Sequence, residues 1–125
     1  MVVTKQQVLD LLNTFETDYD MASELGIEAL PHLESIVKEA DPVLAPKATY
    51  LASLIQDEQS VFILMIAARS KLPEVRIAAA NGSRNLATDS VNDLLDLLTK
   101  DQDYAVRKKA QKSWEMIRTN KIPGN

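Results

Sequence analysis

The sequence predicts an all-α fold built from stacked two-helix units, and three observations carry the prediction. The first is self-similarity at a period of 31 residues: segments 41–57, 72–88 and 103–119 align without a gap. Their apolar columns are Leu44/Val75/Val106, Ala48/Ala79/Ala110 and Ile55/Leu86/Ile117, with Pro42/Pro73 and Arg76/Arg107 in further columns. A fixed period of this length marks units that cannot bury their apolar faces alone and do so by stacking. The second is that most segments carry apolar residues at helical spacing. The third is composition: three glycines and 5% aromatic residues in 125 suit helices and argue against a β-sandwich.

The elements follow in order. Val8, Leu11, Leu12 and Phe15 form one helical stripe, with Thr4 as the expected N-cap. Asp18 or Asp20 caps a short second helix through Met21 and Leu25, and Gly26 is a stop able to take positive φ. This pair, residues 1–26, falls outside the 31-residue register. It reads as an N-terminal capping unit, since a terminal unit has one face without a neighbour.

Three full pairs are then expected, in repeats of about 27–57, 58–88 and 89–119, all in one domain spanning 1–125. Their helices are Glu28–Glu39 with Pro42–Gln56, Glu58–Ser70 with Pro73–Ala87, and Val91–Thr99 with Tyr104–Thr119. Pro42 and Pro73 sit near helix starts, where the missing N–H costs nothing. Asp57, Asp89 and Asp101 or Asp103 fall at the joins as caps or turn residues. The apolar run Val61–Ala68 could be a buried strand, but Leu64 shares a column with Leu33 and Leu95, so a helix is expected. Trp114 falls on the inward side of the last helix, where it would fill the end of the stack. A tail, 120–125, containing Pro123 and Gly124, is expected to fray.

The repeats Glu74-Val75-Arg76-Ile77-Ala78-Ala79-Ala80 and Tyr104-Ala105-Val106-Arg107-Lys108-Lys109-Ala110 resemble the start of the second helix in HEAT repeats. They are most similar to the short bacterial and archaeal subtype found also in phycobilisome bilin-lyase proteins. Leu25–Leu33 likewise resembles that subtype's junction into a first helix, and the resemblance spans about residues 22–119. It implies a right-handed α-α superhelix, a HEAT-like solenoid of about three full helix pairs plus the N-terminal capping pair. The family's aspartate–arginine pairing at the second-helix start matches Asp103 with Arg107. Leu72 replaces that aspartate in the middle unit, and Ala45 replaces the arginine in the first. Arg76 and Arg107 are therefore expected to be structural, satisfying carbonyls and carboxylates of an adjacent unit.

Charge is graded along the chain. The net charge of −4 divides into −8 for residues 1–60, zero for 61–99 and +4 for 100–125. In a stack this gives an acidic end and a basic end. Two readings stay open: solvated faces that favour solubility, or a bipolar surface that steers a partner or aligns copies head to tail.

In HEAT arrays the second helices line the concave side, so the resemblance puts a partner-binding face on Pro46, Thr49, Tyr50 and Ser53, then Ile77, Ala80, Asn81 and Arg84. Lys108, Gln111, Lys112 and Glu115 complete it. Tyr50, Asn81 and Lys112 share one column, and Tyr50 and Arg84 are the expected anchors because tyrosine and arginine dominate interfaces. A second patch, on the convex side, comprises Phe62, Met65 and Arg69, where the flanking units carry Pro31, Glu34, Lys38 and Asp93, Asp96, Lys100. It would serve self-association, unless a register shift tucks Phe62 beneath the adjacent helix.

Chemistry is not expected. The lone His32 and the absence of cysteine rule out a His- or Cys-rich zinc site, and no phosphate-binding glycine loop or nucleophile–histidine pair occurs. No catalytic residue, cofactor or metal is expected. Without an apolar run of about 18 residues a membrane span is not expected, and MVVTKQQVLD lacks the pattern of a secretory leader. A cysteine-free chain fits the cytoplasm. The expected role is a non-catalytic interaction module or scaffold that binds a protein. The alternatives are nucleic-acid binding through the basic C-terminal helices, which the acidic first half opposes, and an accessory part in bilin chemistry implied by the lyase resemblance.

Overall fold

A computed structural model describes residues 2–86 and 89–120, with the side chain of Asn120 left aside. Those residues form eight α-helices and no strand. The helices are α1 (Lys5–Leu12), α2 (Tyr19–Ser23), α3 (Leu30–Glu39), α4 (Leu44–Leu54), α5 (Glu58–Ala68), α6 (Pro73–Gly82), α7 (Val91–Leu98) and α8 (Tyr104–Asn120). Short 3-10 turns at Gly26–Ala29 and Ser83–Asn85 lead into α3 and out of α6. Helix α6, expected to run through Ala87, stops at Gly82, since Ser83–Asn85 tightens to a 3-10 turn and Leu86 is extended, with φ −85° and ψ 129°. Ala87 itself and the tail 121–125 lie outside the described residues.

Local chemistry sets the helix ends. Thr4 and Gln7 make a reciprocal capping box at α1: the Gln7 N–H donates to Thr4 Oγ1 at 3.1 Å and the Thr4 N–H donates to Gln7 Oε1 at 2.8 Å. Asp18 Oδ1 accepts the Met21 N–H at 3.1 Å and Asp57 Oδ2 accepts that of Gln59 at 2.9 Å, capping α2 and α5. Gly26 has a φ of +71°, the left-handed conformation its sequence position suggested. Pro73 is the first residue of α6.

The start of α4 and the end of α1 also differ from expectation. Helix α4 begins at Leu44 rather than Pro42, because Asp41 Oδ1 takes the N–H groups of both Val43 and Leu44, at 2.9 and 2.8 Å. Those two backbone bonds also hold the Asp41 carboxyl below its usual pKa. Helix α1 stops at Leu12, so Phe15 does not join the inward stripe and is fully exposed.

Val61–Ala68 is helical, as its register required. Its Ile63, Leu64 and Ala67 are buried, and Ser60, also buried, donates its hydroxyl to the Ile55 carbonyl.

Packing follows the period. Within pairs, α3 lies on α4, α5 on α6 and α7 on α8. Between pairs, the second helices contact in succession, α4 on α6 and α6 on α8, as do the first helices, α3 on α5 and α5 on α7. Helices α1 and α2 cover the free sides of α3 and α4. The repeated columns are the core: Val75, Val106, Ala48, Ala79 and Ala110 are fully buried, and Ile55 and Leu86 nearly so.

The two junctions between second helices differ in chemistry. At α4–α6 the backbones come close, because a Cβ on Gly82 would stand 2.7 Å from Ser53 Cβ. At α6–α8 the junction is ionic. Arg76, 7% exposed, donates Nε to Asp101 Oδ2 at 3.0 Å, Nη1 to the Ser70 carbonyl at 2.8 Å and Nη2 to the Asp103 carboxylate. Arg107, 31 residues on, repeats the backbone half of that pattern by donating Nη1 to the Asp101 carbonyl at 2.7 Å.

Candidate functional site

On the second-helix layer, residues pointing away from the core fall at the i, i+1, i+4 spacing of a helical face. Pro46, Lys47 and Tyr50 of α4, with Ile77, Ala78 and Asn81 of α6, are half-buried. Together with Glu74 and with Tyr19 of α2 they line a cleft of about 360 Å³. The Tyr19 and Tyr50 rings meet edge to face, centroids 5.0 Å apart at 75°. Burial, and secondarily the nearby Tyr50, raise the Tyr19 hydroxyl above its ordinary pKa, while a hydrogen bond with Thr17 works the other way. Lys47 is committed to structure, since its Nζ donates to the Leu12 and Thr14 carbonyls at 3.0 and 2.8 Å, satisfying the open end of α1. The cleft thus presents an aromatic wall, short apolar side chains, the Asn81 amide and the exposed Glu74 carboxylate.

Of the residues expected on this face, Tyr50 and Asn81 share the cleft. Lys108 and Lys112 lie farther along, exposed on α8, with Lys108 Nζ 5.8 Å from the Tyr104 ring centroid. Glu115 lines a separate cleft of about 300 Å³ with Leu95, Thr99 and Trp114. Trp114 is half-buried against the core, as expected of its column.

Arg84 is half-buried, Nε donates to Ser113 Oγ at 3.3 Å, and Nη2 is sealed from solvent without a hydrogen-bond partner among the described residues. Its side chain is thus engaged with α8. Thr49, Ser53 and Ala80 are corrections, being fully buried between successive second helices. Thr49 satisfies itself by donating to the Ala45 carbonyl at 2.8 Å, and Ser53 Oγ accepts from Asn85 Nδ2 at 3.0 Å.

The other layer carries a larger opening. Phe62 is 56% exposed, so no register shift hides it beneath a neighbour. With Val61, the half-buried Met65 and Leu86 it lines a cleft of about 860 Å³, bordered by the Asp57 and Glu58 side chains. Arg69, at the end of α5, is exposed but does not line it.

Sequence reasoning missed Tyr19, Lys47 and Glu74. Tyr19 belongs to the capping pair, which has no partner column, so the period could not point to it. Its signal was local, an aromatic residue directly after a capping aspartate.

His32 is placed structurally: its Nε2 donates to the Val3 carbonyl at 2.8 Å, tying the N-terminal segment to α3. Among the described residues no cluster of three or more His, Cys, Asp or Glu side chains is arranged to hold a metal ion. No described helix is long and apolar enough to cross a membrane. Comparison with protein-family models, curated proteins and solved structures finds no match to the chain.

Proposed function

We propose that this chain is a HEAT-like α-solenoid of right-handed superhelical form that acts as a non-catalytic protein-interaction module. The solenoid reading is supported by the 31-residue columns and by the succession of α4, α6 and α8 in one layer and α3, α5 and α7 in the other. The observation that carries the functional reading is the cleft across α2, α4 and α6. There an aromatic pair, apolar side chains and one amide face outward together, the composition of an interface anchor site. A protein segment inserting an apolar side chain against Tyr50, with a polar group for Asn81, fits this lining. A cytoplasmic setting fits the cysteine-free sequence.

Affinity capture from the native host, using the intact chain beside Tyr50→Ala/Asn81→Ala and Phe62→Asp/Met65→Lys variants, tests the reading. Loss of a partner with the first variant and its retention with the second is the expected result. The reverse pattern would move the binding face to α5. Unchanged capture by both would defeat the module reading at both clefts.

A further inference from the structure

The arginines at the fourth position of the second helices follow a rule. Each donates to the carbonyl six residues before it, Arg76 to Ser70 and Arg107 to Asp101. Arg76 then uses its remaining donors on Asp101 and Asp103, in the loop that joins the two helices of the following unit. Where the donor is absent the acceptors are too. Ala45 holds the equivalent place in α4, and the corresponding loop of the next unit, Ser70–Leu72, carries no acid. Arg107 is the exception. It has its carbonyl and lies against the Tyr104 ring, 5.8 Å from the centroid, but no described carboxylate is within bonding distance.

The opposite end of the stack offers the missing half. The loop joining α1 to α2, residues 13–18, is the counterpart of the loop joining α7 to α8, and it carries Glu16 and Asp18. Asp18 spends one oxygen on the Met21 N–H, as Asp101 spends one on the Asp103 N–H, which leaves the second for a cation. The flanking charges oppose, with −8 over residues 1–60 and +4 over 100–125. Apolar surface is present at both ends, as the fully exposed Phe15 and as the half-buried Trp114 in the cleft between α7 and α8, where Asp96, Glu115 and Arg118 also lie.

We propose that a second copy of this chain seats its α1–α2 loop on the open side of α7 and α8. Glu16 and Asp18 then hold Arg107 as Asp101 and Asp103 hold Arg76. The contact is heterologous, so it propagates head to tail into chains or closes into a ring. Being built from opposed charges at an accessible surface, it weakens as salt rises.

The test is sedimentation of the purified 125-residue protein at low and high salt, with Arg107→Glu and Glu16→Arg variants checked for helicity by circular dichroism. Glu16 is exposed and makes no described contact, so its reversal leaves the fold intact even if that of Arg107 does not. The expected result is a larger species for wild type at low salt, lost at high salt and lost in each variant alone. An equimolar mixture of the two variants restores it, because every junction in an alternating assembly then pairs opposite charges. A strictly monomeric wild type at submillimolar concentration overturns the proposal. So does association that both reversals leave unchanged, or that Phe62→Asp/Met65→Lys abolishes in their place.

Discussion

Arg76 on α6 and Asp101, in the turn ahead of α8, form a buried ion pair at 3.0 Å, with side chains 8% and 10% exposed. The guanidinium also holds Asp103 and the Ser70 carbonyl, so one side chain anchored within the middle unit ties it to the next at two points. Two desolvated charges are costly to bring inside, and the geometry compensates only while both are present.

Removing one partner should therefore be expensive. Arg76→Met leaves Asp101 buried without its cation, and the expected loss is about 3 kcal/mol. Urea unfolding followed by circular dichroism measures it. A loss below about 1 kcal/mol, the range of an exposed pair, would mean that the contact is effectively solvated.

Arg84 should behave differently although it too is partly enclosed. Its described hydrogen bond is a long one, to Ser113, whose hydroxyl already donates to the Ala80 carbonyl at 2.7 Å, and its Nη2 is unsatisfied. Methionine keeps the packing and removes the orphaned donor, so Arg84→Met is expected to shift stability by less than about 1 kcal/mol. A loss as large as that of Arg76→Met would reveal a strong contact for Arg84.

At Gly82 two effects oppose each other. Alanine gains at most about 1 kcal/mol of helix propensity, and less at the last residue of α6. Its Cβ would meet Ser53 Cβ at 2.7 Å, a contact that forces α4 and α6 apart. Overpacking of this kind costs about 1–3 kcal/mol, so Gly82→Ala should destabilise. A double-mutant cycle with Ser53→Gly checks the cause: the penalty should shrink when the facing Cβ is gone, and additive losses would refute the close approach.

Tyr19 gives a pH dependence. Its folded pKa is raised above 10.0, chiefly by burial, so the native state keeps the phenolic proton to higher pH than the unfolded chain does. Unfolding then releases protons, and stability falls with rising pH in that window. This contribution is whole below about pH 10, the unfolded value, and is lost as pH climbs through the folded pKa. Thermal melts at pH 8 and 10.5 should show a steeper fall for wild type than for Tyr19→Phe. Equal slopes would assign the alkaline loss to other groups.

Much of the fold was legible because one period wrote it three times. Leu64, aligned with Leu33 and Leu95, settles a helix in an apolar run that could have been a strand, and all three are buried. What escaped was decided by contacts that the period does not encode. Phe15 continues the stripe of α1 on paper, but the helix ends at Leu12 and Asn13 leaves helical geometry, with φ −86° and ψ 55°. Thr49 and Ser53 fall on the helix face expected to line the groove, yet both are fully buried. Their hydroxyls bond to carbonyls three or four residues back on the same helix, so burial leaves them satisfied. Arg84 shares a column with Ser53, and both serve the seam between neighbouring helices. The Tyr50–Asn81 half of the candidate face was readable, whereas Tyr19 came from the one pair outside the register.

The unlike junctions on either side of α6 mean that the units are periodic without being interchangeable. Exchanging the middle and last units in the sequence would set α8's arginine beside a loop with no acid to receive it. Gly82 would likewise lose the serine it was shaped to approach. The order of the units is thus written at their boundaries, as a grammar of which neighbour each will accept. Recombination that shuffles such repeats would have to move the matching halves of a boundary together.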